Sequence, residues 1–457
     1  MLDGPEAALL AERTAATKWQ KRRLHRPSLR GMTERRGGAE EARMTVRCLK
    51  LRSLSQRSGC GLNFLDLMVR QGALDNLPKT PFIMGFECSG EVEAVGEGVT
   101  DFKVGDRVAA LTEYKAWAEL VTVPAKHAYI LPASMSFDDA AAVLMNYVVA
   151  YALLFDIGNL REKQTVLMHS VGGGVGHAVA QLCKTVPDVT LIGTASKNKH
   201  ESLTNLVTQL LDHSSDYVQE VNKISPDGVD LVLDCLCGED CKKGYSLLKP
   251  LGRYILYGTS CIVAGETKSF FSFAKSWWQV DKVSPIKLYE ESKVISGFNL
   301  RHLLYQQGMH DYVKGVVSKV FSLYEQKKIT PVVDSSWAFE DVTEAMQKMH
   351  DHKNVGKLTL NPSLEPKPKP QPEKSKGKDK ESKDGKAPVP SGESTDTEKD
   401  AKEEQTPPAN EVAARYTAAL RSSNLKDQLW AREQAHEAAR IQGFRSSSGW
   451  SMPRLRI

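Results

Sequence analysis

Apolar and polar positions follow different rhythms along this chain, and the changes of rhythm mark its segments. Residues 1–43 are polar and basic with little apolar periodicity, which predicts a disordered arm. Apolar residues return at Met44. Between Pro81 and Pro132 they fall into short runs, CSGEVEAVG, GDRVAAL and WAELVTVP, with turns at Gly96, Gly98 and Gly105. That pattern predicts a β-rich segment. Residues 138–158 follow as one long apolar helix. A strand–helix alternation comes next. Strands are predicted at 165–170, 189–193, 229–236 and 253–257, with helices at 175–185 and 217–223. Strands alternating with helices imply a parallel sheet covered on both faces. Amphipathic helices are predicted at 310–328 and 340–349, and a last strand at 356–360. Beyond residue 361 the chain is a run of mixed charge that reads as a disordered tail, with helical composition reappearing only over about 412–440.

Composition narrows the functional classes. The net charge of +5 over 457 residues is small and sits mainly in the N-terminal arm, so a nucleic-acid partner is not expected. Ala140 to Phe155 is apolar but is interrupted by Asn146 and is shorter than the ~20 residues of a bilayer-spanning helix. It reads as a buried core helix. The Arg-rich start lacks a secretory pattern, and Glu12 and Glu34 argue against a transit peptide. The eight cysteines have no framework spacing and read as reduced thiols of a cytoplasmic protein. Cys235, Cys237 and Cys241 are spaced C-x-C-x3-C rather than as two C-x2-C pairs. They are read as small core residues on an apolar strand, not as a metal site.

The sharpest chemistry lies in VLMHSVGGGVGHAVAQL, where a strand runs straight into glycines and a helix. Gly172, Gly173, Gly174, Val175 and Gly176 form the turn. A helix N-terminus offers free N–H groups and positive dipole charge to a pyrophosphate, and glycines let the backbone come close. The strict G-x-G-x-x-G spacing fails, because Val171 stands at its first position. The strand before and the helix after compensate for that. At the end of the second strand, in VTLIGTASKNKH, the acidic residue that would hold the ribose hydroxyls of NAD is missing. Thr194, Ser196, Lys197, Lys199 and His200 stand there instead. Hydroxyls and cations suit a 2′-phosphate, so NADPH is the expected cofactor.

Together these strings resemble a known family. CGLNFLDLMVRQG, PFIMGFECSGEVEAVGEGVTDFKVGDRV, HSVGGGVGHAVAQLC, GVDLVLDCLCG, LLKPLGRYILYG and NVGKLTL are similar to the quinone oxidoreductase branch of the medium-chain dehydrogenases, over about residues 58–361. SFFSFAKSWWQV and PIKLYEESKVISGF resemble a subfamily of synaptic-vesicle membrane proteins within it. The resemblance implies an α/β fold in which a Rossmann nucleotide-binding domain (158–294) is inserted in a GroES-like β-rich catalytic domain (44–157 and 295–361), flanked by the disordered segments 1–43 and 362–457. It implies a homodimer and NADPH-dependent reduction of quinones or α,β-unsaturated carbonyls. It also leaves open a catalytically weak, membrane-associated nucleotide-binding scaffold. Asn63 is expected beside the nicotinamide, His213 near the adenosine phosphate, and Gly258, Phe298 and Lys357 at the cofactor.

Three departures from the family pattern matter. Zinc relatives carry Cys and His where this chain has Asn63 and Phe86, and an amide and a phenyl ring cannot replace thiolate and imidazole, so zinc is not expected. Met68 and Val149 stand where many relatives have Tyr and Thr. Tyr147 and Tyr151 are the remaining phenols nearby, on an apolar helix that reads as core. Finally, MTVRCLKLRSLSQRSG is shorter than the family's opening strands, so part of the first domain is expected to be missing or replaced.

Overall fold

The computed structural model describes residues 42–48, 59–260 and 284–368. The polar arms, the SFFSFAKSWWQV string and the helical stretch at 412–440 lie outside the described residues.

The chain begins with β1 (Arg43–Arg47), β2 (Gly59–Leu62) and helix α1 (Phe64–Arg70), followed by β3 (Glu87–Val95), β4 (Arg107–Leu111), β5 (Leu120–Pro124) and β6 (Ala128–Ile130). Strand β1 is central. It lies antiparallel between β3 and β5, with Met44, Val46 and Cys48 fully buried beneath it. The segment expected to be deficient therefore still contributes a core strand. Its alternation, Met44 and Val46 inward and Thr45 outward, is what a half-buried antiparallel strand requires.

Helix α2 (Phe137–Tyr151) continues as a π-helical turn over Ala152–Ile157. Ser136 caps it by accepting the Asp139 N–H at 3.0 Å, and two aspartates in its first turn suit the helix dipole. By length and composition Phe137–Ile157 could cross a membrane, but 72% of that window is buried inside the protein. Ala140, Leu144, Tyr147 and Val148 are at most 2% exposed, so the helix is a core element, as its composition predicted.

A parallel sheet follows: β7 (Thr165–Met168), helix α3 (Gly174–Cys183), β8 (Thr190–Ala195), α4 (His200–Leu203), β9 (Gln209–Asp212), α5 (Tyr217–Ile224), β10 (Val229–Asp234), α6 (Glu239–Ser246), β11 (Leu248–Leu256), α7 (Pro285–Glu291) and β12 (Val294–Gly297). The strand order is β12-β11-β10-β7-β8-β9. The chain starts at β7, winds outward to β9, and returns to lay β10 on the other side of β7. The order thus reverses between β7 and β10, and ligands of open α/β sheets bind at the carboxyl ends of strands at such a point. All six residues of β10 are buried, as expected of a strand covered on both faces. The parallel sheet runs on through Gly297, so the boundary expected at 294/295 falls within its edge strand.

Helix α8 (His310–Glu325) packs on α2. Strands β13 (Val333–Trp337) and β14 (Lys357–Leu360), separated by helix α9 (Val342–His350), then rejoin the first sheet, β14 pairing antiparallel with β2. This return is what makes the parallel sheet an insertion. It also carries residues from the far end of the chain to the first catalytic-domain helix.

Candidate functional site

The glycine turn sits between β7 and α3, at the reversal of strand order. Gly173 is the N-cap of α3, and no side chain caps that helix. The first-turn N–H groups of Gly174, Val175 and Gly176 therefore form an anion-binding end. The glycines have different reasons to be there. A Cβ on Gly174 would stand 2.3 Å from Asn146 Nδ2, and one on Gly176 would stand 2.4 Å from Val171 O. Packing against α2 and against the turn itself demands glycine at both. Gly172 lies against Leu203 and Lys199, at 3.1 and 3.3 Å from its built Cβ. Gly173 is different. Its φ is −81°, and the nearest atom to a built Cβ is Ser170 O at an ordinary 3.4 Å. Nothing within the described chain demands glycine there.

Beyond β8, Ser196 Oγ and His213 Nε2 are 3.1 Å apart on the surface. Lys199 is half-buried beside Gly172, and its Nζ donates to the Asn354 carbonyl at 2.7 Å. Burial holds its pKa below the usual lysine value. Thr194 is turned away from this group. It is 1% exposed, and its hydroxyl is engaged with His169 Nδ1 (3.3 Å) and Ser170 N–H (3.4 Å). Sequence grouped Thr194 with Ser196 and Lys199, but Thr194 lies inside β8, a strand buried on both faces, while Ser196 and Lys199 lie beyond its end at the rim.

The opposite wall is built from α1, β3 and β14. Asn63 is the N-cap residue of α1, and its side chain also reaches across the sheet to β3 and β14. Its Nδ2 donates to Glu87 Oε1 at 2.9 Å, and its Oδ1 accepts from Lys357 Nζ at 2.6 Å. Lys357 also pairs with Glu87, whose Oε2 accepts the Met145 N–H at 2.9 Å. Asn63, Glu87 and Lys357 are 7%, 0% and 3% exposed. Gly61 makes room, since a Cβ there would lie 2.0 Å from the Glu87 carboxylate. Asp66, one turn along α1, accepts the Asn63 N–H at 2.9 Å through Oδ2. Burial pushes its pKa up to about 8, with Glu87 adding to the effect and the Asn63 N–H and Lys357 opposing it.

Sequence reading missed Glu87 and Asp66. Both stand at otherwise apolar positions, FLDLMV and FECSG, and an acid among core residues was the available hint.

The β14 wall touches the glycine turn directly. Gly356 N donates to Gly172 O at 3.0 Å and bridges to Gly173, one residue before Lys357. Gly258 and Phe298 follow β11 and β12. Phe298 packs on the core, and a Cβ on Gly258 would stand 3.1 Å from Cys235 Cβ. Tyr147 is buried with its hydroxyl on Gln181 (3.1 Å), and Tyr151 stacks on Phe155. Phe86, 1% exposed, packs on Tyr114 with ring centroids 5.1 Å apart. Among the described residues, no group of three or more His, Cys, Asp or Glu side chains is arranged to hold a metal ion.

A GroES-like sheet carrying an inserted, doubly wound parallel sheet defines the alcohol-dehydrogenase class of proteins. Residues 56–133 match the alcohol dehydrogenase GroES-like domain, and residues 207–360 match the zinc-binding dehydrogenase domain. The mouse synaptic vesicle membrane protein VAT-1 homolog-like is 62% identical over 307 residues, 67% of this chain and 74% of that protein. The crystal structure of the human VAT-1 homolog-like protein is 52% identical, covering 71% of this chain and 91% of that one, with a TM-score of 0.61. Two mycobacterial structures, one of a quinone oxidoreductase and one of a protein complexed with NADPH, are each 25% identical over 70% of this chain. They are covered to 92% and 91%, with TM-scores of 0.58 and 0.59. The chain belongs to the family of VAT-1 homologues, in the quinone oxidoreductase branch of the medium-chain dehydrogenase/reductases.

Proposed function

We propose that this protein is a zinc-independent, NADPH-dependent oxidoreductase that reduces a quinone or an α,β-unsaturated carbonyl. The observation that carries the reading is the glycine turn. It offers an uncapped helix end at the switch point and a Gly173 that no packing or dihedral demand explains. Close approach of a pyrophosphate supplies the missing reason. The Ser196–His213 pair and Lys199 stand at the end of β8, where a 2′-phosphate needs hydroxyls and cations. A mycobacterial protein of the same fold is complexed with NADPH.

NADPH, when bound, supplies the hydride. The chain's own part is to orient and to balance charge. The Asn63 amide is locked in one orientation by Glu87 and Lys357. Lys357 carries positive charge to the point where β14 meets the glycine turn. Asn63 in place of a thiolate, and Phe86 in place of an imidazole, support zinc independence. The homodimer is assigned to edge strand β12, near which Leu251, Ile286, Tyr289 and Val294 are 77%, 68%, 85% and 41% exposed. A second copy would cover that apolar surface.

One observation favours the scaffold alternative. Both polar ends of Asn63 are engaged within the protein, and no phenol replaces Met68. Calorimetry and NADPH oxidation at 340 nm with a panel of quinones and enones separate the two readings. The enzyme reading expects tighter binding of NADPH than of NADH, a preference reduced about tenfold by Lys199→Ala, and turnover. Binding without turnover leaves the scaffold, and no binding of either nucleotide overturns both. Sedimentation of full-length protein with liposomes tests peripheral membrane association, which the names of the relatives suggest.

A further inference from the structure

The C-x-C-x3-C string does not lie on a strand. Strand β10 ends at Asp234, and Cys235 and Cys237 occupy the turn that follows, beside the glycine turn at the reversal of strand order. Asp234 organises this turn. Its carboxylate accepts the Leu236 N–H at 2.6 Å, the Cys237 N–H at 3.2 and 3.3 Å, the Tyr254 hydroxyl, and the Cys241 thiol at 3.6 Å. Cys237 and Gly238 both have φ of +69°, which reverses the chain sharply into α6. The reversal sets Cys237 and Cys241, in the first turn of that helix, on one atom: Asp234 Oδ2 accepts both the Cys237 N–H and the Cys241 thiol.

Cys235 and Cys241 differ in acidity. Cys235 is half-buried with its Sγ 3.9 Å from the His169 carbonyl, and burial pushes its pKa up to about 11. Cys241 is half-buried. The Cys237 thiol, and after it Tyr254, hold its pKa below the usual thiol value, although burial and Asp234 act in the other direction. Thiolate character with partial exposure is what makes a cysteine reactive. A second group, Cys48, Cys60 and Cys88, also has hydrogen-bonded thiols but is 0% exposed.

We propose that Cys237 and Cys241 form an oxidisable dithiol that closes to a disulfide beside the glycine turn, with hydrogen peroxide as oxidant. The Cys241 sulfur attacks one peroxide oxygen and the O–O bond breaks. The departing hydroxide takes up the thiol proton as water, leaving a sulfenic acid on Cys241. The Cys237 sulfur then attacks Cys241 Sγ, the S–O bond breaks, and a second water leaves with the Cys237 proton. Two thiols lose two electrons in total, and one peroxide becomes two waters. Bond formation brings the two sulfurs to about 2 Å across this tight turn. The closure pulls on a turn wedged between the end of β7 and Gly258. The expected loss of nucleotide affinity rests on the NADPH reading; the disulfide itself does not.

The test uses the full-length protein with all eight cysteines. The protein is treated with equimolar hydrogen peroxide, alkylated and mapped by mass spectrometry. The expected product has lost two hydrogens and yields a peptide cross-linked from Cys237 to Cys241. Cys241→Ser abolishes the cross-link, and Cys237→Ser leaves a sulfenic acid on Cys241 that dimedone traps. Thermal melts of both variants check folding. In calorimetry the oxidised protein binds NADPH at least threefold more weakly, and dithiothreitol reverses the change. If Cys237 and Cys241 stay fully alkylatable, or the cross-link maps to other cysteines, the dithiol is wrong. Unchanged affinity after complete cross-linking overturns the coupling. If the reduced protein binds no NADPH, the functional reading fails, while the peptide map still decides the dithiol.

Discussion

The two walls of the cleft treat polarity in opposite ways. On the nucleotide wall, the N–H groups at the start of α3 have no side chain over them, and Ser196 and His213 stand at the surface. On the facing wall, Asn63, Glu87 and Lys357 are buried and turned onto one another. The first wall keeps its hydrogen-bonding capacity for something outside the chain. The second uses its capacity internally, which fixes geometry. A buried charge is tolerable only when paired and hydrogen-bonded, so rigidity on that wall follows directly from its burial.

The sharpest way to break this contrast is Lys357→Met. It leaves Glu87 buried without its cation, and removing one partner of a buried pair costs about 3–5 kcal/mol. Urea unfolding reads this, and a loss below about 1 kcal/mol would mean that the network does not hold the wall together.

Asp66 gives the next largest effect, and its sign is definite. Its carboxyl is raised from 3.8 to about 8 in the folded protein, so the native state holds the proton more tightly than the unfolded chain. That contribution to stability is full below about pH 4 and is lost as pH rises through about 8. Relative to Asp66→Asn, the wild type should therefore lose stability from pH 5 to 9, by at most about 1.4 kcal/mol per pH unit. Parallel melting curves for the two proteins across that range would show that the buried carboxyl does not titrate as described.

Gly173→Ala gives the smallest effect and addresses the nucleotide wall alone. The protein has room for the methyl group, so the melting temperature should hardly change. NADPH binding should weaken by about tenfold, because the backbone can no longer come as close to a phosphate. Equal losses of stability and binding would remove the special standing of this glycine.

Much of the fold was legible because it rests on local periodicity. The strand at 165–168, the helix from Gly174 and the buried helix 137–151 emerged near the expected places. Several short strands escaped, among them β2, β9, β12 and β13. Gln209–Asp212 and Val294–Gly297 have four residues each, too few to establish a rhythm, and the second lies at the sheet edge. The C-x-C pair was assigned to a strand because its neighbours are apolar. Asp234 ends that strand by accepting the N–H groups of Leu236 and Cys237, a competition between side chain and ladder that composition does not reveal.

By itself the sequence determined the family, the strand–helix alternation and the glycine turn, since each is written in short local strings. Only the tertiary structure decided what Asn63 does. Its partners are Glu87, 24 residues away, and Lys357, 294 residues away, and they meet because β14 closes onto β2. The same closure sets Gly356 against the glycine turn and joins the two walls. Periodicity reports which face of an element is buried. It does not report which distant element covers that face, because strand pairing is settled by the packing of the whole sheet.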